Sequence, residues 1–344
     1  MKAMVLTDLL KIEIVEKPDP VIQKADDVLV RMKSVGVCGS DIHYYKEGRI
    51  GNQVVKFPFT LGHEGSGIVE KVGNAVKNVK PGDRIAFDPS MPCFKCDQCL
   101  AGRPHTCRNI IFMGCPDQAE GCLSEYIVLP ASSCFKLDDI ISFEQAALSE
   151  PLSIGVYATM LAGNMKNTRI AILGSGPIGI SVMLAAVNYG SEKVYMTDLL
   201  NERLSLAKSM GASWTGNPDK EDIVDYILRE EPLQLDIVFE CCGKQEALNQ
   251  AIALLKPGGK LVLVGVPSFD NWNIGTNDMR KKELSIQNLR RQNEALHPTL
   301  ELISTGKIKP EKMMTHTFTF DQVAEAFDIV AGYKDGVMKA MINF

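Results

Sequence analysis

From Met1 to about Pro151, apolar and polar positions alternate over short runs such as DVLVRMKSVGV, GSGIVEKVG and SEYIVLP, with clusters of Gly, Pro and Asp between them. Alternation of period two, broken by turn residues, predicts strands with one buried face, so this part is expected to be mainly β. From about Asn167 to Val266 the period changes. Short apolar runs (RIAIL, KVYMTD, DIVFECC, KLVLVGV) alternate with longer amphipathic segments (ISVMLAAVNYG, NERLSLAKSMG, KQEALNQAIALLKPGG). That succession predicts βαβ units and therefore a parallel sheet with helices on both faces. Past Lys282 the pattern gives one more strand (LSIQNL), a helix around HPTLELISTG, and a closing helix and strand (FDQVAEAFDIV, VMKAMINF). The predicted fold class is α/β: a β-rich domain plus a doubly wound parallel-sheet domain.

The chain has 344 residues, enough for two domains that each bury a core. Its composition is 45% hydrophobic and 23% charged with a net charge of −5, which leaves no basic excess to hold a polyanion, so no nucleic-acid partner is expected. The start, MKAMVLTDLLKIEIVEKPDP, mixes apolar and charged positions and lacks the apolar core of a secretory signal, so it reads as a first strand in a cytoplasmic protein. Ile170 to Ser191 carries no charge and is long enough to cross a bilayer. The GSGPIG at its centre splits it into a strand-like and a helix-like piece, so no membrane partner is expected either. Ten cysteines in such a chain argue against a disulfide framework, since cytosolic thiols stay reduced, and point to metal instead.

Gly174-Ser175-Gly176-Pro177-Ile178-Gly179 follows the RIAIL strand and opens a helical pattern. In that context the first glycine permits a tight turn, the second lets a pyrophosphate approach the backbone, and the third brings helix against strand. Asp198 ends the next strand, 19 residues after Gly179, where a carboxylate accepts hydrogen bonds from ribose hydroxyls and repels a 2′-phosphate. Leu199 and Leu200 beside it supply no phosphate-binding cation, so NAD is favoured over NADP. Arg203 reads either as a solvated charge or as a stack against adenine. Val264, Gly265 and Val266 close the KLVLVGV strand, at the edge where an open sheet binds ligands.

Cys93, Cys96, Cys99 and Cys107 sit in PCFKCDQCLAGRPHTC, within reach of one tetrahedral centre. Four sulfur ligands leave no position for water or substrate, so the expected role is structural zinc. A second set is dispersed: Cys38 in GVCGSDIHYY, His63 and Glu64 in LGHEGSG, and Glu150 in LSEPLS. Each residue type is a zinc ligand, and three protein ligands with an open position suit a catalytic ion. Each also has another reading: Cys38 as a small buried hydrophobe, His63 as a turn histidine, Glu150 as a helix-end charge.

In order along the chain, CGSDIHYY, GHEGSGIVEKVG, the four-cysteine stretch and GSGPIG resemble the zinc-dependent medium-chain dehydrogenases, across essentially the whole length. Within them, HYYKEGRIGNQVV, PFTLGHEGSG, SEPLSIG and TDLLNERL are most similar to the sorbitol (L-iditol 2-) dehydrogenase branch of polyol dehydrogenases. The resemblance implies a GroES-like catalytic domain from residues 1–151 and 291–344, a Rossmann domain from 152–290, and an active site in the cleft. It implies a catalytic zinc on Cys38, His63 and Glu64, with Glu150 ligating it directly or through its water, so that two zinc ions are expected per subunit. Alcohol-dehydrogenase-like members have cysteine where Glu150 stands. Ser40 and His43 match the positions that relay the hydroxyl proton, and Tyr44, Phe112 and Arg291 those that line the substrate pocket. The expected reaction is NAD-dependent oxidation of a sorbitol-like or xylitol-like polyol to a ketose, in a dimer or tetramer. One departure stands out. The branch has aromatics flanking the arginine, whereas this chain reads Leu289-Arg290-Arg291-Gln292-Asn293. Adjacent cations suit a phosphorylated or acidic polyol, unless Arg290 faces cofactor or solvent. Threonine as substrate, and a non-catalytic dinucleotide-binding protein, are the remaining alternatives.

Overall fold

The computed structural model describes residues 1–344. It divides into two compact units, Met1–Glu150 with Leu296–Phe344, and Pro151–Ala295.

The first unit is built on a sheet whose strands lie in the order Cys134–Lys136, Arg84–Phe87, Glu64–Val72, Asp27–Gly36, Lys339–Asn343 and Met314–Thr319, with Tyr126–Pro130 also paired to Asp27–Gly36. Asp27–Gly36 is the hub, bonded antiparallel to three partners. Its alternating Val28, Val30 and Met32 are fully buried, and they join Ile85, Phe87, Phe327 and Ile342 in one apolar core. Two segments from the end of the chain complete this sheet. Met314–Thr319 and Lys339–Asn343 run parallel, which requires a crossover, and helix Val323–Ala331 provides it by burying Val323, Ala326 and Phe327. Strand Met314–Thr319 is additional to the elements expected from the sequence. Its burial is that of a mostly exposed edge, so MTHTFT carries little apolar signal beyond Phe318.

The second unit is a six-stranded parallel sheet in the order Trp214–Gly216, Lys193–Thr197, Arg169–Leu173, Leu235–Glu240, Leu255–Leu263 and Ser285–Asn288. The order reverses between Arg169–Leu173 and Leu235–Glu240, and a doubly wound sheet binds ligands at the carboxyl ends of strands at such a switch point. Ile170, Ala171, Ile172 and Leu173 are all buried, as expected for a strand covered on both faces. The uncharged Ile170–Ser191 segment resolves into this strand, a glycine turn and helix Pro177–Asn188, and no helix is long and apolar enough to cross a membrane.

At the opposite end of that sheet Glu231, 1% exposed, receives the Lys193 ammonium at 2.8 Å, the Tyr195 hydroxyl at 2.6 Å and the Arg169 guanidinium at 2.9 Å. Burial by itself raises the carboxyl pKa, but Lys193, Tyr195 and Arg169 outweigh it and hold the group below its ordinary value. A depressed folded-state pKa stabilises the fold above the unfolded carboxylate pKa, and the contribution is lost as pH falls through the folded value. Glu231→Gln is therefore expected to destabilise this unit by about 2–4 kcal/mol at neutral pH, measured by urea unfolding. The difference from the unmodified chain should shrink once pH drops below ~4.

Candidate functional site

In the second unit the glycine turn lies at the switch point. Gly174 takes φ 106°, a left-handed value that favours glycine, and its amide donates to Thr197 O at 2.9 Å. Gly176 caps helix Pro177–Asn188, with Pro177 in the first turn where a missing N–H costs nothing. Ile178 is half-buried in the same turn. A Cβ on Gly179 would overlap Gly174 O, so only glycine lets helix and strand approach this closely. Asp198 fixes the turn to the next strand: its Oδ2 accepts from Ser175 N at 2.8 Å and its Oδ1 from Leu200 N at 3.0 Å. Arg203 Nη1 lies 4.0 Å from Asp198 Oδ2 and 3.3 Å from the position a Gly176 Cβ would take, so the cation faces the glycine turn. The strand expected to end in Val264-Gly265-Val266 ends at Leu263; both Val264 N and Gly265 N donate to Glu240 O, and Val266 is exposed. Glu240, which no motif singles out, is fully buried and its Oε1 accepts from Cys242 N and Gly243 N, at 2.9 and 2.6 Å. It shapes the neighbouring turn at this edge. Arg290 is exposed and Arg291 half-buried, just past strand Ser285–Asn288, with Arg291 at φ 53°.

In the first unit two groups of residues with the chemistry of metal ligands come together. The four thiols of Cys93, Cys96, Cys99 and Cys107 all lie within 4.8 Å of one another. The Cys93–Cys107, Cys96–Cys99 and Cys96–Cys107 separations are 3.4, 3.6 and 3.8 Å. A tetrahedral zinc with Zn–S distances of about 2.3 Å needs sulfurs about 3.8 Å apart, so this set fits the ion closely. Backbone amides already favour thiolate here. The Lys95 amide is the leading cause holding Cys93 at about 6, and the amides of Cys99 and Arg108 lower Cys96. Burial and then the neighbouring Cys96 push Cys99 up to about 12, a thiol whose proton a cation would displace. All ten cysteines are free of disulfides.

The second group brings together residues far apart in sequence. Cys38 follows the end of strand Asp27–Gly36 and caps helix Gly39–Glu47, while His63 and Glu64 stand at the start of strand Glu64–Val72. Their ligand atoms all lie within 4.8 Å of one another, and thiolate, imidazole and carboxylate fit a zinc with one position open. Asp41, fully buried, orients this set. It accepts from Cys38 N at 3.1 Å and Gly62 N at 3.2 Å, and its Oδ1 lies 3.4 Å from His63 Nδ1, which leaves Nε2 for a metal. Burial pulls the His63 pKa down, but Asp41 and then Cys38 outweigh it and raise the value well above normal. The sequence signal for Asp41 was its place three residues after Cys38, as the returning member of a capping box.

Glu64 has a second partner that no motif announced. Lys339 Nζ lies 2.8 and 2.7 Å from its two carboxylate oxygens and 3.1 Å from Val37 O, with both side chains 1% exposed. The register explains the encounter. Glu64, Gly36 and Met341 are aligned across three adjacent strands, and Lys339 lies two residues from Met341 on the same face. A Cβ at Gly36 would overlap Glu64 Oε2, so glycine there leaves the space in which carboxylate and ammonium meet.

Around the triad, Ser40 Oγ is 3.3 Å from Cys38 Sγ and 3.5 Å from His63 Nε2. His43 is half-buried, with Nδ1 3.3 Å from Glu47 Oε1. Tyr44 is buried and donates to Gln53 at 3.1 Å, and the Phe112 ring packs 5.4 Å from the His63 ring. Glu150, on helix Phe143–Ala162, lies outside the triangle of ligand atoms. Burial pushes its carboxyl up to about 7, with His63 lowering it and Glu64 and Asp88 raising it, so its charge responds to whatever occupies the triad.

The chain is similar to known proteins over most of its length. The family model of the alcohol dehydrogenase GroES-like domain matches residues 24–139, and that of zinc-binding dehydrogenases matches residues 177–305. An L-idonate 5-dehydrogenase of Vitis vinifera is 37% identical over 92% of this chain and 88% of its own length. A sorbitol dehydrogenase of Bacillus subtilis is 34% identical over 99% of this chain and 97% of its own. Among solved structures, an Escherichia coli oxidoreductase of unknown specificity superposes with a TM-score of 0.94 at 32% identity, covering 99% of this chain and 98% of that one.

Because the Gly179 position has no room for a methyl group, Gly179→Ala is expected to weaken NADH binding at least about tenfold, measured by fluorescence titration, with metal content unchanged. Undiminished binding would place the dinucleotide elsewhere.

Proposed function

Since the chain belongs to the zinc-dependent medium-chain dehydrogenases, in their polyol dehydrogenase branch, we propose that it oxidises a secondary alcohol of a sorbitol-like or xylitol-like polyol to the ketose, with NAD as hydride acceptor. The observation that carries this reading is the convergence of Cys38, His63 and Glu64, with Asp41 fixing the imidazole. Bound there, zinc supplies Lewis acidity towards an alcohol oxygen.

The chain's own groups do the rest. Ser40, within 3.5 Å of His63 Nε2, accepts the hydroxyl proton, and the partly exposed His43 passes it to solvent. Tyr44 and Phe112 form the walls against the substrate, and Arg291 donates to polyol hydroxyls. Glu150 in place of a cysteine supports the polyol branch. The glycine turn Gly174–Gly179 receives the pyrophosphate, and the Asp198 carboxylate favours a free ribose 2′-hydroxyl, hence NAD. Arg203 stacks on the adenine side, while Val264, Gly265, Val266 and Arg290 border the cofactor. Cys93, Cys96, Cys99 and Cys107 hold a second, closed zinc that takes no part in the reaction. The protein works in the cytoplasm as a dimer or tetramer.

A second reading rests on one feature. The Arg290-Arg291 pair suits a phosphorylated polyol, because guanidinium binds phosphate bidentately.

Atomic absorption is expected to find two zinc ions per chain, and Cys38→Ser to lose one of them together with roughly 10³-fold or more of turnover. A folded, active chain whose zinc content is unchanged by Cys38→Ser would refute the triad. A substrate panel followed by NADH absorbance is expected to show turnover of free polyols; activity confined to polyol phosphates would select the second reading.

A further inference from the structure

The metal triad contains a carboxylate whose burial is compensated before any ion arrives. Glu64 is 1% exposed, and the single cation touching it is Lys339, which contacts both of its oxygens and spends its remaining donor on Val37 O. The two residues are 275 positions apart and come from strands on either side of Gly36, so this pair closes the C-terminal strand onto the triad. A buried carboxylate with no partner is strongly destabilising, so a chain with an empty triad needs this ammonium. Once a divalent cation sits on Cys38, His63 and Glu64, two positive groups share one carboxylate and repel each other at short range in a poorly screened interior.

We propose that Lys339 is the internal counter-ion of the metal site: it stands in for the metal's charge on Glu64 when the triad is empty and holds the affinity for zinc below what the three ligands alone would give. The site can therefore be folded and shaped before it is loaded, and its carboxylate remains partly committed elsewhere when it is. Lys339 is a positioning residue, acting only through Glu64. The inference rests on the proposed zinc triad.

The test is a thermodynamic cycle on the full chain. Lys339→Met keeps the length of the side chain and removes its charge. Zinc affinity at the second site, measured by competition with a chromophoric chelator, is expected to rise at least about tenfold, while the metal-free form unfolds at lower urea concentration and the zinc-loaded form unfolds as the unmodified chain does. A purely structural lysine predicts the opposite sign, since a disordered site binds metal more weakly. Affinity unchanged or reduced would thus overturn the proposal. If Lys339→Met folds only when zinc is supplied, the metal has replaced the missing charge, as proposed; a chain that fails to fold even with zinc counts against it. The double variant Glu64→Gln/Lys339→Met, with neither charge, is expected to recover the metal-free stability of the unmodified chain, and failure to do so would show that Lys339 supports the fold by other means. An unmodified chain that takes up only the four-cysteine zinc would overturn the triad itself, an outcome distinct from two zinc ions with unaltered affinity in Lys339→Met.

Discussion

Glu64 and Lys339 meet across Gly36, and the first unit is organised around that meeting. Strand Asp27–Gly36 is the hub of the sheet, with Glu64–Val72 on one side and Lys339–Asn343 on the other. Its end must deliver Cys38 into the cap of helix Gly39–Glu47, leave space above Gly36 for the carboxylate, and accept the C-terminal strand that brings the ammonium. A one-residue slip in either pairing would turn Glu64 or Lys339 to the opposite face of the sheet. The register of two antiparallel pairs is therefore also the geometry of the Cys38, His63 and Glu64 triad.

The two cysteine-containing groups differ in what they leave open. The sulfurs of Cys93, Cys96, Cys99 and Cys107 surround one point at tetrahedral spacing and complete a coordination shell, which suits a clip on a turn-rich segment. Cys38, His63 and Glu64 offer three ligand atoms, and their supporting groups, Asp41 and Lys339, are themselves fully or almost fully buried. Fixed ligands with an unfilled position suit Lewis-acid chemistry. In the second unit the constraint is steric. Gly179 brings helix Pro177–Asn188 against the Gly174 carbonyl, and Asp198 ties the Ser175 amide to the end of the next strand. The turn is thus held by groups on two strands at the switch point.

Much of this was legible in the sequence because it is local. Period-two runs marked the strands of the first unit, alternating apolar and amphipathic segments marked the parallel sheet, and GSGPIG marked the glycine turn at its switch point, to which Asp198 is bonded. The four cysteines announced themselves by spacing. Cys38, His63, Glu64 and Glu150 could be grouped by residue type, but each allowed another role, and it was the resemblance to a family that assigned them to one zinc.

What the sequence determined by itself, then, were features whose physics spans a turn or a strand: periodicity, glycine turns, closely spaced ligands. The rest depended on how distant segments pack together. Lys339 looks like any lysine in VMKAMINF, Gly36 like any glycine before a turn, Asp41 like a helix-capping acid and Glu240 like a strand-end charge. Their roles come from burial and, for Lys339 and Gly36, from a register that brings Lys339 to Glu64, 275 positions away. A charge acquires its function from the low-dielectric place where it is held and from what it faces there, and neither is written in its neighbours along the chain.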